Sequence, residues 1–192
     1  MSVITWLQIS DLQFCTSPTR DVDSVLQALL RDIEKRIEWY GLRPDFIAII
    51  GDIAHSGKPP EYDLARQFFD ELLYTTGLSK NRLFLVPGNH DVDRALISQG
   101  ARNIGDSLTD SDNVTAILEN PGDRQLMFGR FGGYAAFVND YLGDYSPFDQ
   151  DNYCYVQTLN LLERRVALLG LNSAWLSTSE QDGAMGLVIG AR

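Results

Sequence analysis

Two aspartates, an asparagine and a histidine, each set just after an apolar run, are the residues of this sequence best placed to do chemistry. Asp11 follows Val3-Ile4-Thr5-Trp6-Leu7-Gln8-Ile9, Asp52 follows Phe46-Ile47-Ala48-Ile49-Ile50-Gly51, and Asn89-His90-Asp91 follows Leu83-Phe84-Leu85-Val86-Pro87-Gly88. Such groups are costly to bury unpaired, so their recurrence after apolar runs argues for a site rather than for packing. Carboxylate and amide oxygens are hard ligands suited to Mg²⁺ or Mn²⁺, and a histidine among them shifts the preference toward Mn²⁺, Fe or Zn²⁺. A carboxylate between two such ions can bridge them. Paired ions clamp the attacking and leaving oxygens of a phosphoryl transfer and lower the pKa of a bound water, so metal-assisted phosphoester hydrolysis is the natural reaction class. A nearby imidazole could protonate the leaving alkoxide. The sequence has 2 histidines, which confines that role to His90 or His55.

The elements that must position these groups can be read in order. The apolar run at residues 3–9 is short and β-branched, so it reads as a buried strand; 46–50 and 82–86 read the same way. Between the first two, Val22, Val25, Leu26, Leu29, Leu30, Ile33 and Ile37 recur at helical spacing until Gly41. Between the second and third, Leu64, Ala65, Phe68, Phe69, Leu72 and Leu73 line one side of a helix closed by Gly77. Right-handed βαβ connections would make the three strands parallel, and ligands in such sheets bind beyond the carboxyl ends of the strands. Asp11, Asp52 and Asn89-His90 should therefore converge on one rim, with His55 a loop residue beside it.

Further along, residues 98–121 are polar and rich in breakers, which predicts an excursion with one short helix at 114–118 and a solvated acidic loop at Asp106, Asp110 and Asp112. Residues 124–142 predict a single helix with a core-facing aromatic side of Phe128, Phe131, Tyr134, Phe137 and Tyr141. Alternation over 153–159 and the apolar run at 165–171 predict a hairpin, with 160–164 between its arms. Asn172-Ser173 then takes a strand-end position like those of Asp11 and Asp52, and 177–183 reads as a loop.

With 192 residues, 44% hydrophobic and 22% charged, the chain has the composition of one soluble globular domain, and its alternating strands and helices make that domain α/β. No run approaches the roughly 18 apolar residues of a membrane span, so no membrane partner is expected. A net charge of −10 argues against a broad basic surface for nucleic-acid backbone, although bound metal ions can supply positive charge where a phosphate must sit. Two cysteines, Cys15 and Cys154, are too few for a disulfide framework, and the start lacks signal-peptide features, so a cytoplasmic setting is expected.

Taken together, Asp11-Leu12-Gln13, Gly51-Asp52 and Gly88-Asn89-His90-Asp91 resemble the ordered motifs Asp-x-His, Gly-Asp and Gly-Asn-His-Asp/Glu of the calcineurin-like metallophosphoesterases, and Leu171-Asn172-Ser173 resembles a later strand end of their cyclic-nucleotide-phosphodiesterase-like branch. The resemblance implies an αββα sandwich, here incomplete: the first sheet with its flanking helices and part of the second, within a single domain over 1–192 that is C-terminally truncated relative to the family. It implies Asp11 and Gln13 at a first metal, Asp52 as the bridge, Asn89 at a second, His90 as the catalytic group and Asp91 as the support of the His90 ring. Gln13 stands where the family has histidine, either as a weaker ligand or as a relic, and no histidine follows His90. The cofactor implied is a divalent metal, Mn²⁺ first and Mg²⁺, Fe or Zn²⁺ otherwise; the family uses two ions, and this chain would hold two, one or none. The substrate implied is a phosphoester, a nucleotide or nucleic acid among the options. The expected activity is phosphodiesterase- or nuclease-type hydrolysis, weak or absent from these residues alone, with a degenerate binding or regulatory module of a larger assembly as the alternative. An incomplete sandwich would leave apolar sheet surface that the rest of a longer chain or a partner must cover.

Overall fold

The structure, a computed structural model, describes residues 3–16, 22–108, 111–146 and 153–177. Residues 178–183 of the loop expected at 177–183, and the acidic position Asp110, lie outside the described residues. Three strands, β1 (Trp6–Ile9), β2 (Phe46–Ile50) and β3 (Leu83–Val86), form a parallel sheet in the order β1-β2-β3. Between them run α1 (Val22–Tyr40) and α2 (Pro59–Thr76). Gly41 and Gly77 end these helices, each at a φ of 65° and 70° respectively, the left-handed C-terminal geometry that glycine adopts without strain.

Because both crossovers step in the same direction, right-handed connections put α1 and α2 on the same face of the sheet. The period-two alternation of the strands matches this. Ile9, Ile47, Ile49, Leu83 and Leu85 face the helices and join Leu26, Leu30, Ile33 and Ile37 of α1 and Phe68, Phe69 and Leu72 of α2 in one core. At roughly 1.5–3 kcal/mol for each large apolar side chain buried, this face dominates the stability of the sheet.

Phe46 and Phe84 point to the other face, where they meet Tyr155, Leu159 and Leu161 of a hairpin made by β4 (Tyr155–Leu161) and β5 (Arg164–Gly170). A parallel sheet thus carries helices on one side and the beginning of an antiparallel sheet on the other, the layering expected of an αββα sandwich. Apolar surface remains open on these layers: Trp6, Ile50, Val156 and Leu169 are all exposed, Trp6 by 57% although its ring stacks on Phe46. No helix among the described residues is long and apolar enough to cross a membrane.

Three expectations need correction. The stretch expected to hold one short helix holds α3 (Gln99–Ser107) and α4 (Ser111–Glu119), and Asp112 lies in the first turn of α4 rather than in a loop. Side-chain caps account for helix starts that weak periodicity hid: Ser98 accepts from the Ala101 amide, and Asn120 accepts from Gly122 and Asp123. The single helix expected over 124–142 is α5 (Pro121–Phe128) and α6 (Gly132–Leu142), separated by a 3₁₀ turn at Gly129–Phe131 where the glycines fall. Its aromatic side is core as expected, with Phe131 and Tyr134 fully buried and Phe137 stacked on Tyr62 of α2 at 5.0 Å.

The hairpin is also tighter than its sequence suggests. Leu161 pairs with Arg164, leaving the two-residue turn Leu162-Glu163 with φ of 49° and 63°. Both central residues of a type I′ turn need positive φ, which Asn-Gly adopts readily and Leu-Glu only with strain. Replacing the pair by Asn-Gly is expected to raise stability by about 1 kcal/mol in urea unfolding, and a lowered midpoint would contradict this turn.

Candidate active site

Each candidate residue lies just past the carboxyl end of a strand of the parallel sheet, and the chain continues to pair there after the strands stop. The Gln13 amide donates to the Asp52 carbonyl at 2.9 Å, Phe14 donates to Ile53 at 2.8 Å, and His55 donates back to Phe14 at 2.9 Å. The loops after β1 and β2 are thus laced into one rim. That lacing requires unusual backbone: Asp11, Gln13 and Asp52 have φ of 57°, 47° and 54°. Left-handed geometry costs a residue with a side chain on the order of 1 kcal/mol, and its concentration at three candidate positions is the kind of local strain that functional sites retain.

The loop after β3 closes onto the same rim. The His90 amide donates to Asp52 Oδ1 at 2.9 Å, so the carboxylate proposed as a metal bridge also anchors the third motif. Approach this close depends on glycine. A Cβ on Gly88 would fall 2.1 Å from Asp52 Oδ1 and 2.4 Å from the Asp52 amide, and Gly51, at φ +101°, would place one 3.0 Å from the Gly88 Cα. The two glycines let the ends of β2 and β3 touch.

Asp91 behaves differently from the expectation. Its carboxylate does not hold the His90 ring; it turns under the rim and is fully buried. There Oδ1 accepts from the Ala54 amide at 2.9 Å and from the Tyr62 hydroxyl at 3.0 Å, while Oδ2 accepts from Gly88 at 2.9 Å and Ile53 at 3.2 Å. These loop amides have no ladder partner of their own, so the carboxylate takes the place of a missing strand. Burial pushes the Asp91 carboxyl up to about 6, against the opposing pull of the Ala54, Gly88 and Ile53 amides and the Tyr62 hydroxyl. Tyr62 is itself pushed well above its ordinary value by burial and by the neighbouring Asp91, so it remains a donor.

The partner of His90 Nδ1 is instead the His55 main-chain carbonyl, at 2.8 Å, and the His55 ring stacks against that of His90 with centroids 5.5 Å apart. A carbonyl can only accept, so Nδ1 carries the proton and Nε2 is the nitrogen with a lone pair to offer. The sequence reading placed His55 beside the rim, as one of 2 histidines, without giving it a part in the site, and left Tyr62 out. Tyr62 carried no signal beyond its place in the first turn of a helix.

The donor set can be tested against a divalent ion. Asp11 is exposed on the rim and Gln13, Asp52, Asn89 and His90 are half-buried, open enough to receive a ligand. Two carboxylates and two amides offer hard oxygens that fit one Mg²⁺- or Mn²⁺-like ion. No group of three or more His, Cys, Asp or Glu side chains gathers among the described residues, so the amide oxygens of Gln13 and Asn89 have to share in any metal site there. Asn172 lies buried after β5, where its Oδ1 accepts from the Ala174 amide at 3.0 Å in a local turn.

Comparison with known proteins agrees with this architecture. The family model of calcineurin-like phosphoesterases matches residues 4–175. The chain is 27% identical over 171 residues to the uncharacterized metallophosphoesterase-like protein YydB of Bacillus subtilis (strain 168), covering 86% of this chain and 34% of that protein. It is 32% identical over 96 residues to the glycerophosphodiester phosphodiesterase GpdQ of Enterobacter lignolyticus (strain SCF1), covering 50% of this chain and 32% of that one. The chain therefore spans about a third of the length of these two relatives. With a match that runs from the first strand to the end of the hairpin and takes in all three rim motifs, the chain belongs to the calcineurin-like phosphoesterase family.

Proposed function

We propose that this chain is a metal-dependent phosphodiester hydrolase module in which Asp11, Gln13, Asp52 and Asn89 hold the divalent ion and His90 handles the leaving-group proton. The family is divalent-metal dependent and acts on phosphoesters. The observation that carries the reading is the convergence on Asp52, whose carbonyl accepts from Gln13 and whose carboxylate accepts from His90, so that one residue joins three strand-end motifs. A diester is favoured as substrate because one relative is a glycerophosphodiester phosphodiesterase.

When bound, the metal would supply an activated water and neutralise phosphate charge, and Mn²⁺ suits oxygen donors beside an imidazole. The chain's own contributions are distinct. Asp52 orients the His90 main chain, and Asp11 and Gln13 take left-handed backbone geometry in the loop just past β1. The His90 ring, with Nδ1–H committed to a carbonyl, works through Nε2, where the imidazolium gives its proton to the departing alkoxide and is left as the neutral Nδ1–H ring. Asp91 supports the loop beneath and does not touch the imidazole. The cytoplasm remains the proposed compartment.

The test is turnover of bis(4-nitrophenyl) phosphate by the purified chain. Activity should appear with Mn²⁺, vanish with a chelator, and fall by about a hundredfold or more in His90→Ala. A wild-type rate equal to that of His90→Ala would refute the proposal. The lack of a three-member acid and imidazole cluster among the described residues favours a second reading, a binding or regulatory module with one ion. A Mn²⁺ titration separates them: one tightly held ion without turnover supports the module, and two ions per chain exclude it.

A further inference from the structure

Both histidines of the chain lie in the same place although neither the motif spacing nor the metal chemistry requires His55 there. Its ring lies along the His90 ring at 5.5 Å with 27° between planes, and its carbonyl receives His90 Nδ1 at 2.8 Å. Its own Nδ1 is buried with no hydrogen-bond partner among the described residues. A buried polar atom left unsatisfied costs about 1–3 kcal/mol, and packing alone would be served better by an aliphatic or phenyl side chain.

The backbone around His55 is fixed from several sides. Its amide donates to Phe14 at 2.9 Å, the preceding amides of Ile53 and Ala54 donate to Asp91, and the following Ser56 donates through both amide and hydroxyl to Glu61 of α2, at 2.9 and 2.8 Å. The His55 carbonyl is therefore a rigid acceptor. On the other side, the His90 amide is fixed to Asp52. With the main chain of each residue held, the freedom left to His90 is rotation of its ring, and the His55 ring is what lies against that motion.

We infer that His55 is a positioning residue for His90: its carbonyl selects the Nδ1–H tautomer and its stacked ring holds the imidazole so that Nε2 alone exchanges protons at the rim. The catalytic consequence rests on the hydrolase reading above; the tautomer and its dependence on the His55 ring do not.

Nitrogen-15 NMR of histidine-labelled, metal-free chain at a pH where both rings are neutral tests this directly, with the two signals assigned from a His55→Phe variant. His90 should show a protonated Nδ1 and an unprotonated Nε2, the reverse of the tautomer preferred by a free imidazole. His55→Ala should let the ring turn and mix the tautomers, while His55→Phe, which keeps a flat ring, should restore the wild-type pattern. Thermal melts verify that each variant is folded. A wild-type His90 in the Nε2–H form would overturn the assignment of the carbonyl, and a folded His55→Ala with an unchanged pattern would overturn the role of the ring. In the diesterase assay, kcat should fall roughly tenfold in His55→Ala with KM unchanged and recover in His55→Phe, the scale of a misoriented group. Absence of wild-type turnover together with the expected NMR pattern would count against the hydrolase reading and leave the positioning role standing.

Discussion

Asp91→Ala is expected to lower stability by about 4 kcal/mol or more, the largest loss among single changes at the rim. The substitution removes the acceptor of three backbone amides and one tyrosine hydroxyl at a fully buried position. Each orphaned donor costs about 1–3 kcal/mol, and a domain of this kind has only about 5–15 kcal/mol in total. Asp91→Asn should cost less. Its oxygen can keep the Ile53 and Gly88 amides while its NH₂ turns to Tyr62, whose hydroxyl can reverse and accept, leaving the Ala54 amide as the main casualty.

The same residue gives a pH dependence whose sign follows from linkage. Folding raises the Asp91 carboxyl from an ordinary value of 3.8 to about 6, so between these values the folded chain binds more protons than the unfolded one. Its stabilising contribution is complete below 3.8 and is lost as pH rises through about 6, a decline of roughly 3 kcal/mol at 1.36 kcal/mol per pKa unit. Urea unfolding of metal-free wild type and Asp91→Asn between pH 4 and 7, on the order of the range bounded by these two values, should therefore diverge in slope. Parallel curves would mean that Asp91 does not titrate with folding, and an Ala variant within about 1 kcal/mol of wild type would contradict the buried network.

Asp52→Asn carries the largest expected effect on activity. The amide keeps an oxygen for the His90 N–H and the volume of the side chain, so the contact between the loops after β2 and β3 survives and the melting temperature should shift by only a few degrees. The charge and one metal-seeking oxygen are lost. Diester hydrolysis should fall a hundredfold or more, on the scale of removing one preorganised electrostatic group, and Mn²⁺ affinity should fall with it. A variant that binds Mn²⁺ as wild type does, yet no longer turns over substrate, would place Asp52 outside the metal site and confine it to positioning His90. Equal activity in the two proteins would remove Asp52 from the reaction altogether.

The contrast between Asp52 and Asp91 shows where reading residues in order succeeds. The sequence alone determines the three parallel strands, the two helices between them and the rim on which Asp11, Asp52 and Asn89-His90 gather, because hydrophobic period and right-handed connection are local or topological rules. It also determines that the aromatic side of residues 128–141 is core, since acidic surroundings and helical spacing leave it no other use. Helix starts such as Ser98 and Asn120 were less legible, because a cap is one side chain bonding to one or two amides and leaves little periodic trace.

Only the tertiary structure decided which partner each polar group takes. Asp91 follows His90 directly, and the family resemblance implies that it supports the imidazole. In the fold, the unpaired amides of Ile53, Ala54 and Gly88 present a stronger claim on a carboxylate than one ring N–H does, and they draw Asp91 beneath the rim. The imidazole is left to a carbonyl 35 residues away at His55. Hydrogen-bond competition of this kind is settled among groups that meet only after the strands have paired, so no spacing rule along the chain could have ranked the partners.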